Sequence, residues 1–200
     1  MAITEHAGST KSIDGIPLTP KDLVDIGPQP KRSIEEERTE RKQKLAGALR
    51  IFGRLGFGEG VAGHITVRDP EFPDHFWVNP FARSFRLMRV SDLILVNHDG
   101  DVVYGNHPVN RAAFCIHAAI HQNHGLFTVA PTVDAAAYWF LSMERTCMAQ
   151  IMAETVGTPK LIPHEMATYT RDLTAHPMAG WLNFQPLWQE ICRTDPDLFD

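Results

Sequence analysis

The stretch CIHAAIHQNHG, Cys115 to Gly125, carries three histidines, His117, His121 and His124, spaced four and three apart. On one continuous helix that spacing lines their imidazoles along one face, an arrangement in which neutral ring nitrogens hold a zinc ion. A zinc shell needs three or four such donors, usually with carboxylates behind them to orient the rings. Against a single helix stands Gly125, followed by the β-prone LFTV, which places His124 in a turn entering a strand. His117 and His121 then share a face while His124 follows another rule, and the three converge only if the turn is favourable. A metal site and three separately satisfied or exposed histidines both fit this pattern.

Two other patterns bear on chemistry. In GFGEGVAG, Gly58, Gly60 and Gly63 have GxGxxG spacing. A dinucleotide fingerprint must follow a strand and open a helix, so that the helix N-terminus meets the pyrophosphate. Here the glycines follow a helix and lead into the strand HITVR, which argues against that use. What remains is a loop, Gly60, Gly63 and His64, whose backbone N–H groups can meet an anion. The helix NRAAFCIHAAIHQ contains no Asp or Glu to move a proton beside a metal. The nearest carboxylates, Asp99, Asp101 and Asp134, fall in a turn and in the first turn of a helix, where turn and capping roles account for them. No catalytic residue is assigned.

The elements that must position these residues are legible in outline. Ser33 and Glu36 have capping-box spacing, and Leu45, Leu49, Phe52 and Leu55 form one stripe of a helix that Gly56 ends. HITVR and HFWVNP, separated by DPEFPD, predict a hairpin. Asp99-Gly100 predicts the turn between the strands of DLILVN and VVYG. A short helix, the strand GLFTVAP and a long helix from the Thr132 cap to Gly157 follow. Beyond TPKLIPHE the pattern loosens, with one short helix around Leu187 to Cys192. Residues 1–32, with GPQPKR, read as a flexible arm, and residues 33–200 as one domain.

Composition excludes several roles. A formal charge of −5 offers no basic field for nucleic acid. Cys115, Cys147 and Cys192 are odd in number and lack a CxxC pair, so they read as buried free thiols in a reducing compartment. No apolar run reaches the length of a signal peptide core or a membrane span, which predicts a cytoplasmic protein. His64, His75, His98 and His107 read as surface residues.

In order along the chain, GVAGHITVRDP, FWVNPFARSF, VSDLILVNHDGDVV, HPVNRAAFCIHAAIH and QNHGLFTVAPTVDAAAYWFLSMERTCMAQ resemble the class II aldolase/adducin domain family. The resemblance runs from about residue 33 to about 160 and is most detailed for the adducin-type branch and its fungal-like relatives. It implies a three-layer α/β/α domain with a central, largely antiparallel sheet and, in the enzymes, a zinc ion held by three histidines at a subunit interface. His124 matches one of those ligands. The H-x-H element that supplies the other two is absent, because AAIHQ runs directly into NHG, so the resemblance implies an internal shortening near residues 122–123. His117 and His121 then match a helix that does not bind metal.

Further departures concern the chemistry. The position of the enzymes' acid-base glutamate is Ala113, and loss of a proton-transfer group costs about two to four orders of magnitude in rate. Where phosphate-binding aldolases carry polar partners, this chain has His64, Phe81 and Ala82. The resemblance therefore implies a non-catalytic or impaired domain, binding no zinc through this chain, with an adducin-like interaction role toward actin and the cytoskeleton and with self-association into oligomers. The alternative is a zinc-dependent lyase or epimerase acting on small hydroxy-carbonyl or sugar-phosphate substrates.

Overall fold

The computed structural model describes residues 31–58, 63–110 and 126–200. Helix α1 spans Ile34–Arg54. Its start is fixed by a reciprocal capping box: the Ser33 hydroxyl accepts from the Glu36 N–H at 3.3 Å, and the Glu36 carboxylate accepts from the Ser33 N–H at 2.8 Å. Its end coincides with Gly56, whose φ of +88° lies in the left-handed region that favours glycine. Leu45, Leu49 and Phe52 of the expected stripe are buried, whereas Leu55 lies past the last turn and is exposed.

Four short strands form an antiparallel meander in the order β1 (Thr66–Arg68), β2 (Phe76–Val78), β3 (Ile94–Val96) and β4 (Val102–Tyr104). Val67 pairs with Trp77, and Trp77 with Leu95, so these central residues point to the same face. Trp77 and Leu95 join the main core, while Val78, Ile94 and Val96 face the other way and pack with Phe76, Val102 and Val109. Both expected hairpins are present. The turn between β3 and β4 has Gly100 at φ +86°, but its organiser is Asn97, whose side-chain oxygen accepts from the N–H groups of Asp99 and Asp101.

The main core is covered by α1 and by two further helices, α2 (Val133–Val156) and α4 (Pro177–Thr194), with α3 (His164–Thr174) between them. Thr132 caps α2 and Gly157 follows its end, as the sequence predicts. The C-terminal region is more helical than expected: α3, α4 and a 3-10 turn at Pro196–Phe199 replace a single short helix. The signals were unusual. Pro163 and His176 occupy the N-cap positions, Pro177 opens α4, and Pro186 lies within it.

The described fold is thus an antiparallel sheet with helices on one face. A third layer is not represented among the described residues, and the helix and turn expected at 111–125 lie outside them. No helix among the described residues is long and apolar enough to cross a membrane. Cys147 departs from expectation: it is exposed, because the second half of α2 extends beyond the core, while Cys192 is half-buried.

Candidate functional site

Three chain segments meet at one margin of the sheet. Gly63, at φ +90°, carries the chain into His64 and β1, and an added Cβ there would stand 3.2 Å from the Phe85 ring. Gly58, at the other end of the glycine-rich passage, meets the same residue, with a Cβ placed 3.2 Å from that of Phe85. Phe85 is buried and therefore serves as the floor on which both ends of the passage rest. The Ile65 N–H donates to the Asn79 side-chain oxygen at 3.2 Å, tying the passage to the NPFA turn after β2. The Phe81 N–H donates to the Pro108 carbonyl at 2.9 Å, bringing the third segment alongside.

The turn itself is strained. Ala82 has φ +61° and is the one non-glycine residue in the left-handed region among the described residues. Holding an alanine there costs about 1–2 kcal/mol, a cost that collects at sites where the backbone is set for a ligand. Phe81 beside it is exposed. Arg83 donates from Nη2 to Asp92 at 2.9 Å, whereas its Nε is buried with no hydrogen-bond partner. A buried N–H without an acceptor is uncommon, and it leaves one strong donor for a group the described residues do not supply.

Away from this margin, two buried polar contacts hold the scaffold, one at the other end of the β1–β2 hairpin and one between helices. Asp69, its side chain fully enclosed, accepts from Arg38 Nε at 2.8 Å, from Trp77 Nε1 at 2.8 Å and from the N–H groups of Glu71 and Phe72. Burial opposes ionisation of Asp69, but these donors, Arg38 foremost, outweigh it and hold the carboxyl well below the usual range. Lys44 pairs with Asp134 between α1 and α2. Asp134 thus has a structural partner that a capping role does not capture, and neither contact had a sequence signal, because each joins residues far apart in the chain. Lys42 lies over the Trp77 and Tyr104 rings, 4.3 and 5.4 Å from their centroids, and burial pushes its amine down.

Of the sequence-predicted site residues, Gly63 and His64 stand at this margin, and Gly60 and His124 lie outside the described residues, as do His117, His121 and Ala113. His98 and His107 are exposed, and His75 is mostly enclosed with Nδ1 2.9 Å from Asp74. Among the described residues, no three His, Cys, Asp or Glu side chains come together as a metal shell. These residues do not fit a zinc ion by themselves, so no step through a metal is derived.

Residues 43–123 match the family described as Class II Aldolase and Adducin N-terminal domain. The chain is 33% identical to the decarboxylase NovR of Streptomyces niveus over 238 residues, taking in 82% of this chain and 88% of that protein. It belongs to the class II aldolase/adducin family. Within this family the chain is also 31% identical, over 237 residues, to the 4-hydroxy-3-prenylphenylpyruvate oxygenase/4-hydroxy-3-prenylbenzoate synthase of Streptomyces roseochromogenus subsp. oscitans, covering 82% of this chain and 86% of that one. A solved L-fuculose 1-phosphate aldolase from Glaciozyma antarctica PI12 superposes with a TM-score of 0.79 at 29% identity, over 89% of this chain and 99% of that one. The likeness to alpha-adducin of Rattus norvegicus is 35% over 94 residues, 44% of this chain and 13% of that protein. Two relatives matched over more than four-fifths of their length carry enzyme names, the meiotically up-regulated gene 14 protein of Schizosaccharomyces pombe, matched over 93% of its length, carries none, and the alpha-adducin match takes in 13% of that protein. The margin built from Gly63, His64 and Asn79–Arg83 falls inside the matched family segment, and His124 falls one residue past it.

Proposed function

We propose that this chain is an enzyme-type member of the family that cleaves a carbon–carbon bond beside a carbonyl, acting on a small 2-oxo or hydroxy acid with an aromatic or apolar tail. Aldol cleavage and decarboxylation share one requirement, stabilisation of the electron pair left next to the carbonyl, so one scaffold can serve both. The observation that carries the reading is the similarity to a decarboxylase over 88% of that protein's length. The turn supports that substrate class: Phe81 offers an exposed ring in place of a phosphate donor, and Arg83 holds an unpaired N–H, buried in this conformation, that a carboxylate would satisfy once the turn opens to it.

The adducin-like role toward actin has weaker support, resting on the 94-residue likeness. The zinc question is part of the same test, since His124 is the single ligand that the resemblance supplies. Purified, zinc-supplemented protein is incubated with phenylpyruvate, with 4-hydroxyphenylpyruvate and with a sugar phosphate, and binding, substrate loss and bound zinc are followed. The expected result is binding and turnover of an aryl 2-oxo acid, weakened in Arg83→Met; bound zinc that is lost together with turnover in His124→Ala would add a metal-held site to the reading. A folded protein that neither binds nor consumes the aryl acids would sink the reading and return the chain to a non-catalytic interaction role.

A further inference from the structure

We propose that Asp92 is a specificity-determining residue of the Phe81–Arg83 turn: by pairing with Arg83 it cancels the positive charge that the turn brings, so that the site takes a monoanionic carboxylate and refuses a dianionic phosphate. The inference rests on the functional reading above, which brings the anionic group of the substrate to Arg83. It adds the residue that decides which anion is accepted.

The pairing is fixed from both sides. Asp92 Oδ1 accepts from Arg83 Nη2 at 2.9 Å, and its other oxygen accepts from the Arg89 N–H at 2.9 Å, which closes the 3-10 turn Val90–Asp92. With 10% of its side chain exposed, Asp92 has little freedom to swing into water, whereas the Arg83 side chain is 37% exposed. An anion arriving from solvent therefore meets a guanidinium whose charge is already matched. Two further arginines follow in the chain, but Arg89 reaches Asp197 at 3.6 Å and the stem of Arg86 lies against Gly53 at the end of α1. His64 and the exposed His107 flank this margin and can each gain a proton.

The donors of the turn point the same way. Arg83 Nε is buried without an acceptor, and one carboxylate oxygen would complete it at the cost of a single added charge. A phosphate brings three acceptor oxygens and a second charge. The turn has little to meet them with, because the Phe81 ring and the Ala82 methyl donate nothing and the Phe81 N–H is already given to the Pro108 carbonyl. The second charge then faces Asp92 across the width of one guanidinium, where like charges repel at short range.

Binding of phenylpyruvate and of phenyl phosphate, which share the ring and differ in the anionic group, is measured by calorimetry on the full chain, on Asp92→Asn and on Arg83→Met. The parent is expected to bind phenylpyruvate more tightly. Asp92→Asn keeps the shape and removes the charge, and is expected to tighten phenyl phosphate about tenfold while moving phenylpyruvate less; Arg83→Met weakens both. A residue that merely held the turn together would weaken both ligands when replaced, so a gain confined to the dianion is the signature of selection. Should Asp92→Asn fail to fold, the parent decides across the second ionisation of the phosphate, at about pH 6. Phenyl phosphate is then expected to bind less well as it becomes a dianion, relative to phenylpyruvate, whose single charge is constant and which reports any titration of His64 or His107; the opposite trend overturns the proposal. Phenylpyruvate bound by the parent with no gain of phenyl phosphate in the folded variant overturns the role of Asp92 and leaves the functional reading standing. A variant that gains phenyl phosphate while the parent binds neither compound sinks that reading and keeps the role. If neither compound binds either protein, both fall.

Discussion

Lys44 Nζ stands 2.9 Å from Asp134 Oδ1, with only 9% and 7% of the two side chains exposed, so a salt bridge joins the middle of α1 to the first turn of α2. The pair is embedded rather than isolated. Gln185 Nε2 donates to the same Asp134 oxygen at 3.2 Å, and the Trp188 ring centroid lies 4.2 Å from the ammonium. Three helices therefore meet on one carboxylate.

Breaking this pair from one side leaves an uncompensated buried charge, which typically costs about 3–5 kcal/mol, whereas replacing both partners by apolar groups of similar volume is close to neutral. Asp134→Ala alone is expected to lower urea stability by that amount, and Lys44→Met with Asp134→Leu to recover most of it. A single variant that loses less than about 1 kcal/mol would show the charges to be hydrated rather than buried.

The second prediction concerns acid. Asp69 is held ionised below its ordinary 3.8 because burial, which opposes the charge, is outweighed by Arg38, Trp77 and two backbone donors. Asp197 is lowered to about 2 by its hydrogen bonds with Arg50. A depressed folded value means that the native state binds fewer protons, so both groups contribute their full stability above the unfolded value near 3.8 and lose it as the pH falls through the lower folded values. Stability measured from pH 7 downward should therefore hold to about pH 5 and then decline, more gently in Asp69→Asn, which is already weakened at pH 7. A parent curve with no acid limb would refute this account.

How much of this was legible beforehand depended on the range of the signal. Ser33 and Glu36, three residues apart, announce a helix start, and Asp99-Gly100 announces a hairpin, because capping and turn chemistry are local. Asp69 with Arg38, Lys44 with Asp134 and Arg50 with Asp197 span 31, 90 and 147 positions, and no window of sequence contains both partners. Helix α4 was hidden for a different reason: Pro177 and Pro186 read as breakers, yet Pro177 sits at the helix start, where its missing N–H costs nothing, and burial of Phe184 and Ile191 sustains the helix through Pro186. At the candidate site, Gly63 and His64 were read from a motif, while the left-handed Ala82 and the spare Arg83 donor depend on a tertiary turn that composition does not encode.

Gly180 gives a third test in which two effects oppose each other. Alanine is the better helix former by about 1 kcal/mol, so an open helical site would gain from the change. Here an added Cβ would stand 2.7 Å from the Ala135 Cβ and 2.8 Å from its Cα, where α4 crosses α2. Overpacking costs about 1–3 kcal/mol, so Gly180→Ala is expected to destabilise on balance. Its midpoint in urea should fall, and a rise would mean that the two helices can separate without loss.

The last prediction concerns residues 195–200, which Arg50 ties to α1 and to the segment around Met88. Arg50 is 3% exposed and donates from Nε to the Met88 carbonyl at 2.6 Å, from Nη1 to Asp195 and Asp197, and from Nη2 to Asp197 at 2.9 Å. The Ser91 N–H donates to the Asp200 carbonyl, and Leu198 is fully buried beneath the same turn. A guanidinium can serve all these acceptors because its donors are fixed in a planar fork, which a lysine ammonium cannot reproduce. Arg50→Lys keeps the charge but loses the fork, and is expected to cost about 1–2 kcal/mol, chiefly through the Met88 carbonyl left without its donor, since Asp197 is half exposed and Asp195 keeps Arg54. Leu198→Ala should cost more, about 2–5 kcal/mol, through the cavity it leaves. The two losses should not add, because both loosen the same turn, and a double-mutant cycle in urea that showed strict additivity would separate the clamp from the core beneath it.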